Sequence, residues 1–301
     1  MNRPSVPDSP ERLARYNGTV SLGLSRSKLV TALLLAALLA GTNAVAARRS
    51  GAGPDPAGLL LPDLTLATST DLRVITLRNG EEQLRFTSAV VNVGRGPLVV
   101  AGRRAAPGQP WEVVQQIMGA DGDVVREFPV RVQPVWGGDG HNHWHVPAVA
   151  RYRLLRLDDG TEVGTNHKIG FCFFDNDFYL SLPRTPPYPE FPDDTGCAHG
   201  DRSARRIRMG LSVGFADVYR WRMPGQSIDI TGLPAGRYRL EGKANGDDEL
   251  VESDPTNNVE WVDFQLIRGR RGAKVKIIGD GRARPVQDQT DRGELVLGGR
   301  P

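Results

Sequence analysis

From Leu61 onward the chain alternates short runs of aliphatic, β-branched and aromatic residues with turn-forming clusters. Side chains alternate between faces in an extended strand, so such runs predict strands half-buried on a core. One run is Leu84-Arg85-Phe86-Thr87-Ser88-Ala89-Val90-Val91-Asn92-Val93, which stops at Gly94-Arg95-Gly96-Pro97 and is followed by Leu98-Val99-Val100-Ala101. Residues 111–118 form another, closed by Gly119-Ala120-Asp121-Gly122. Residues 150–157 end at Asp158-Asp159-Gly160, and the Asp-Gly step predicts a hairpin. Residues 168–174 are apolar enough for a central strand, and residues 237–243 and 259–266 are predicted to pair near the end of the domain. No window carries a sustained apolar stripe at helical spacing, and 35 glycines with 22 prolines suit many turns. The predicted fold class is therefore mostly β: a single β-sandwich-like domain over residues 58–267, with long loops and little helix.

The two ends read differently. Residues 1–28 are polar and basic, an apolar run follows from Leu29 to Ala40, and Ala44-Val45-Ala46 is a small-x-small step. That layout predicts a secretory signal peptide over 1–46, with an uncleaved signal anchor as the alternative. A Gly-, Ala- and Pro-rich linker is expected over 47–57 and a basic, flexible tail over 268–301. A secreted or cell-surface location follows, with membrane contact only if the signal segment stays uncleaved. In an oxidising compartment the isolated pair Cys172 and Cys197 reads first as a disulfide, stabilising by about 3–4 kcal/mol in the loop-entropy picture.

Charge changes the picture once the ends are removed. The whole chain is +3, but residues 48–266 hold 24 basic and 29 acidic groups, while the basic excess lies at the two ends. An acidic core attracts cations, amines among them, and argues against nucleic acid as a partner.

The densest chemistry is His141-Asn142-His143-Trp144-His145, which holds three of the five histidines in the protein. On a strand the three imidazoles would share one face, with Asn142 and Trp144 on the other. An ideal strand would spread the outer two by roughly 13 Å, so the segment must bend if all three hold one ion. Imidazoles suit copper, zinc, iron or nickel; the plainer alternative is three half-exposed histidines at a strand end. A second cluster, Glu252-Ser253-Asp254-Pro255-Thr256-Asn257-Asn258, gathers oxygen donors suited to Ca²⁺. It reads equally as a polar hairpin turn. Lys168 stands in an apolar run, where it must be paired, neutral, modified or exposed. Tyr219 alone reads as a core or edge aromatic, and Asp217 as a surface acid or a base.

These pieces occur together, in the same order, in one family. Pro62-Asp63-Leu64, Leu84-Arg85-Phe86 leading to Val91-Asn92-Val93-Gly94, His141-x-His143-x-His145, His167-Lys168-Ile169-Gly170-Phe171-Cys172, Gly210-Leu211-Ser212-Val213-Gly214, Asp217-Val218-Tyr219, Asp229-Ile230-Thr231 and Glu252-Ser253-Asp254-x-Thr256-Asn257-Asn258 carry the likeness. The chain resembles the catalytic domain of lysyl oxidases, in its bacterial form, over about residues 61–266. The resemblance implies that His141, His143 and His145 ligate copper and that Lys168 and Tyr219 become cross-linked as lysine tyrosylquinone. It further implies that Asp63, the Leu64 carbonyl, Glu252, Asp254, Asn257 and Asn258 hold a structural calcium, and it supports the Cys172–Cys197 bridge. The expected activity is oxidation of a primary amine or peptidyl lysine by molecular oxygen, giving aldehyde, ammonia and hydrogen peroxide. A quinone serves as the electron sink, and Asp217 is the candidate base.

The chain departs from the animal enzymes in Val135-Trp136-Gly137-Gly138-Asp139-Gly140 before the histidines, in keeping one cysteine pair, and in its Pro-rich insert after Asp177. These differences bear on substrate choice more than on chemistry. The opposing expectation is a non-catalytic, metal-binding β-sandwich adhesion module. Its support is the stretch Gly232-Leu233-Pro234-Ala235-Gly236-Arg237-Tyr238-Arg239-Leu240, which is similar to immunoglobulin-type domains of bacterial surface proteins.

Overall fold

A computed structural model describes residues 58–137, 141–147, 149–166, 170–270 and 272–282. The expected signal segment and linker, residues 283–301 of the expected tail, and Lys168 with His167 and Ile169 lie outside the described residues. In chain order the strands are β1 (Leu64–Thr76), β2 (Glu82–Asn92), β3 (Leu98–Arg103), β4 (Glu112–Met118), β5 (Val124–Pro129), β6 (Val135–Trp136), β7 (Trp144–His145) and β8 (Ala150–Arg156). They continue as β9 (Glu162–Thr165), β10 (Asp177–Phe178), β11 (Arg206–Leu211), β12 (Phe215–Tyr219), β13 (Ser227–Asp229), β14 (Gly236–Ala244), β15 (Val259–Gly269) and β16 (Gly272–Arg282). Helix among the described residues is confined to a 3₁₀ turn, Asp194–Cys197. The protein is mostly β, as its alternating pattern predicts.

Three antiparallel sheets make the body. The first runs β1-β2-β12-β10 with β13 also on β2, the second β16-β15-β14-β8-β9, and the third β11-β3-β4-β5. Leu64, Leu66, Leu84 and Phe86 of the first sheet share one core with Tyr152, Leu154, Tyr238, Leu240, Phe264 and Leu266 of the second. Each such side chain contributes on the order of 2 kcal/mol by leaving water. The rings of Phe86 and Tyr152 meet across the two sheets at 5.0 Å. Gly242 on β14 permits that approach: a Cβ there would lie 2.6 Å from Leu66 Cδ1 and 2.7 Å from Tyr152 Cε1.

Two expectations need correction. Residues 168–174 were expected as a central strand, yet the described part, 170–174, joins no ladder beyond a single bridge between Phe171 and Val146. Phe171, Cys172 and Phe173 are buried all the same; apolar character here reports burial by loop packing and a disulfide, not strand pairing. The sheet also continues past residue 267. β16 pairs antiparallel with β15 through Gly269 and Gly272, so part of the stretch expected as flexible tail is a hairpin arm. Gly272, at φ 96°, supplies a left-handed turn residue. The glycines there mark a turn, and Val275 packs against the core from the new strand.

Candidate active site

The histidine segment bends. Only Trp144 and His145 pair, with Trp136 and Val135 of β6, while the Gly137 N–H donates to the His143 carbonyl at 3.0 Å. That turn brings three ring nitrogens together: His143 Nε2 lies 2.9 Å from His145 Nε2, and His141 Nδ1 lies 3.3 Å from the same atom. Bonds of about 2.0 Å to one ion at angles between tetrahedral and right place their nitrogens roughly 2.8–3.3 Å apart. His145 is spaced from both partners as ligands of one ion are, and one nitrogen from each of the three rings lies within 4.8 Å of the others. Gly137 makes room for it, since a Cβ there would sit 2.9 Å from both His141 Cβ and His145 Cε1. Trp144 packs elsewhere, edge-on to Trp111 and Trp136 at 5.0 and 5.6 Å, with the Arg104 guanidinium 4.6 Å from its ring.

Two residues beside the trio escaped the sequence reading. His143 Nδ1 donates to Asp194 Oδ2 at 3.1 Å, and His199 Nδ1 meets the same oxygen at 2.6 Å. A carboxylate only accepts, so His143 carries a proton on Nδ1, and Nε2 is the ring nitrogen left to face an ion. Asp194 opens the 3₁₀ turn that ends in Cys197, and Cys172–Cys197 are bridged over a sequence separation of 25. The one signal available in the sequence was the bridge itself, which had to bring the loop around Cys197 against residues 170–174.

β12 carries the next pair. Asp217 and Tyr219 are two apart and project to one face, opposite Val90 and Ser88 of β2, and both are buried, at 1% and 4% exposure. The Tyr219 hydroxyl donates to the Cys172 carbonyl at 3.0 Å, and its ring stands edge-on to Phe171 at 5.0 Å. Burial first, then the charge and hydrogen bond of Asp217, push the Tyr219 phenol well above its ordinary range. The Asn176 amide donates to Asp217 Oδ1 at 2.7 Å. Phe171 also exchanges backbone hydrogen bonds with Val146, the residue after His145. Tyr219 is thus joined to the histidine segment through Cys172 and Phe171. Lys168 lies outside the described residues, and the nearest described residues on either side are Asn166 and Gly170. Asn166 Nδ2 donates to the Gly225 and Ser227 carbonyls, and a Cβ at Gly170 would lie 3.0 Å from His145 Cβ.

The oxygen-rich segment after Leu250 folds onto the start of β1. Asn257 Nδ2 donates to Asp63 Oδ1 at 2.8 Å, Asn258 Nδ2 to Glu252 Oε1 at 2.7 Å, and the Leu64 N–H to Glu252 Oε2 at 3.1 Å. Asp254 bends its own turn by accepting from the Thr256 N–H and hydroxyl. Burial raises Asp63 to about 6 and Glu252 to about 7. The Asn257 and Asn258 side-chain carbonyl oxygens are buried with no hydrogen-bond partner. Two desolvated carboxylates and two unsatisfied amide oxygens are what a hard cation relieves, so this cluster could hold Ca²⁺. The structure therefore brings Asp63, Leu64, Glu252, Asn257 and Asn258 together, with the Asp254 charge acting on Asp63.

Comparison with known proteins gives a consistent result. A family model described as Lysyl oxidase matches residues 114–271, a stretch holding the histidine trio, both cysteines, Asp217, Tyr219 and the segment 252–258. Lysyl oxidase homolog 2 of Gallus gallus is 34% identical over 126 residues, 42% of this chain and 14% of that protein. The Homo sapiens homolog 2 is 31% identical over 122 residues, 40% and 14%. Lysyl oxidase homolog 3B of Danio rerio is 32% identical over 118 residues, 39% and 13%. The chain matches about a seventh of the length of these relatives. Among the described residues no helix is long and apolar enough to cross a membrane.

Proposed function

The chain belongs to the lysyl oxidase family, and from that premise we propose that it is a secreted or cell-surface copper-dependent amine oxidase. It takes a primary amine or a peptidyl lysine, molecular oxygen and water to the aldehyde, ammonia and hydrogen peroxide. The observation that carries this reading is the convergence of three imidazole nitrogens at 2.9 and 3.3 Å, joined to Tyr219 through Phe171 and Cys172. The donor set fits copper in number and kind. His141, His143 and His145 would hold it, with Asp194 on the far edge of the His143 ring.

A lysine tyrosylquinone made from Lys168 and Tyr219 would supply the electron sink for the amine's two electrons. The chain's own groups prepare that chemistry. The strand geometry of β12 sets Asp217 and Tyr219 on one face, so the carboxylate stands beside the ring that the substrate must reach. Asn176 holds Oδ1 of that carboxylate, and burial excludes water around it; a desolvated, oriented carboxylate is a suitable acceptor for the proton on the amine-bearing carbon. The Cys172 carbonyl fixes the Tyr219 hydroxyl. Away from the chemistry, a structural Ca²⁺ held by Asp63, the Leu64 carbonyl, Glu252, Asp254, Asn257 and Asn258 would tie segment 252–258 to β1. The acidic core favours approach of a cationic amine.

The test is mass spectrometry of a digest of copper-loaded, aerobically matured protein, with peroxide release assayed on the same sample. A peptide joining Lys168 to Tyr219 at the mass of an oxidised quinone is expected. Intact, unmodified Lys168 and Tyr219 peptides despite bound copper would overturn the reading in favour of a metal-binding adhesion module.

A further inference from the structure

Building on the copper reading, we propose that Asp194 is a positioning residue for His143. Its carboxylate fixes the proton on Nδ1, and with it the ring orientation, so that Nε2 faces the metal. Asp194 is itself no metal ligand. Its Oδ2 lies on the Nδ1 edge of His143, 3.1 Å away, whereas the convergent nitrogens gather at the Nε2 edge. A histidine whose second nitrogen donates to a carboxylate keeps one tautomer and becomes a better donor, and loss of such a partner typically weakens metal binding about 10–100-fold.

The loop that carries Asp194 is built to hold that oxygen in place. Cys197, at the end of the same turn, is bridged to Cys172. Beyond it the Gly200 N–H donates to the Asn142 carbonyl at 2.7 Å, and the Trp144 indole donates to the Asp201 carbonyl at 3.2 Å. Loop 194–201 is therefore tied to the histidine segment at its C-terminal end, through Gly200 and Asp201, and to Cys172 through Cys197, independently of the Asp194–His143 contact. His199 adds a second donor to Asp194 Oδ2 at 2.6 Å from a half-exposed ring. It stands edge-on to His143 at 5.8 Å and braces the carboxylate from outside.

The experiment titrates Cu²⁺ into metal-free, disulfide-intact protein against a competing chelator and records electron paramagnetic resonance of the bound ion. Asp194→Ala is expected to bind about 10–100-fold more weakly with altered nitrogen hyperfine structure, and Asp194→Asn, which keeps an oxygen acceptor, to recover much of the loss. Asp193→Ala is the structural control. It removes the hydrogen bonds to the Thr195 N–H and hydroxyl that cap the same turn without touching His143, and should stay within about threefold of the unaltered protein. Three results would overturn the proposal: Asp194→Ala with unchanged affinity and spectrum; Asp193→Ala as weak as Asp194→Ala; or loss of one copper-bound nitrogen in His199→Ala, which makes His199 a ligand. If the unaltered protein binds no Cu²⁺ through nitrogen, the copper reading fails as well.

Discussion

Replacing both Cys172 and Cys197 by alanine opens a loop closed over a separation of 25 residues. In the chain-entropy model, closing about 25 residues stabilises the fold by about 3.5 kcal/mol at 25 °C. A domain of this size loses roughly 2–4 °C in Tm per kcal/mol, so the double variant should melt about 7–14 °C lower. Alanine is the right replacement because both positions are buried, at 2% and 1% exposure, and a serine hydroxyl there would add a desolvation cost of its own. Urea unfolding of metal-free protein gives the free energy directly, and an unchanged m-value guards against a change in the unfolded ensemble. The same variant should bind Cu²⁺ more weakly, because the bridge carries the turn that presents Asp194 to His143. A loss below about 1 kcal/mol would refute the loop-entropy reasoning. It would assign the loop's order instead to Asp175, which accepts from the Phe191 N–H at 3.1 Å and the Ser212 N–H at 2.7 Å.

Other outcomes follow from the same geometry. Gly137→Ala places a methyl 2.9 Å from His141 Cβ and His145 Cε1, so Cu²⁺ affinity measured by chelator competition should fall by about tenfold or more; unaltered affinity would mean the ring positions are not set there. Asp217→Asn should lower peroxide production by about 10²–10⁴-fold while leaving the Lys168–Tyr219 cross-link detectable, and full turnover with the quinone intact would remove Asp217 as the base. Ca²⁺ at about a hundred times its Kd should stabilise the metal-free fold by about 2.7 kcal/mol. Asn258→Ala, which deletes a buried amide oxygen with no partner, should abolish most of that shift. A melting curve indifferent to Ca²⁺ in the unaltered protein would mark segment 252–258 as a polar turn only.

The amino-acid sequence by itself determined the fold class and the positions of six of the sixteen strands among the described residues, β2, β3, β4, β8, β14 and β15. Alternation of apolar and polar residues is a local code, and it marks β4, β8, β14, β15 and the first half of β2, each of which buries one face against a core, whereas β2 from Ser88 onward is buried on both faces. It also marked the histidine trio and the oxygen-rich segment, since both are contiguous in the chain. It misread residues 170–174 and the arm at β16, where apolar and glycine content do not say what the segment will pair with. Only tertiary structure decided the rest. The bend at His143, with room left by Gly137, brings the nitrogens together, and the strand register seats Asp217 and Tyr219 on one buried face. Asp194 reaches His143 from 51 residues away in the chain, and Asp63 meets Asn257 across 194. Such contacts depend on how sheets, loops and a disulfide close in space, and no local pattern of side chains encodes that closure.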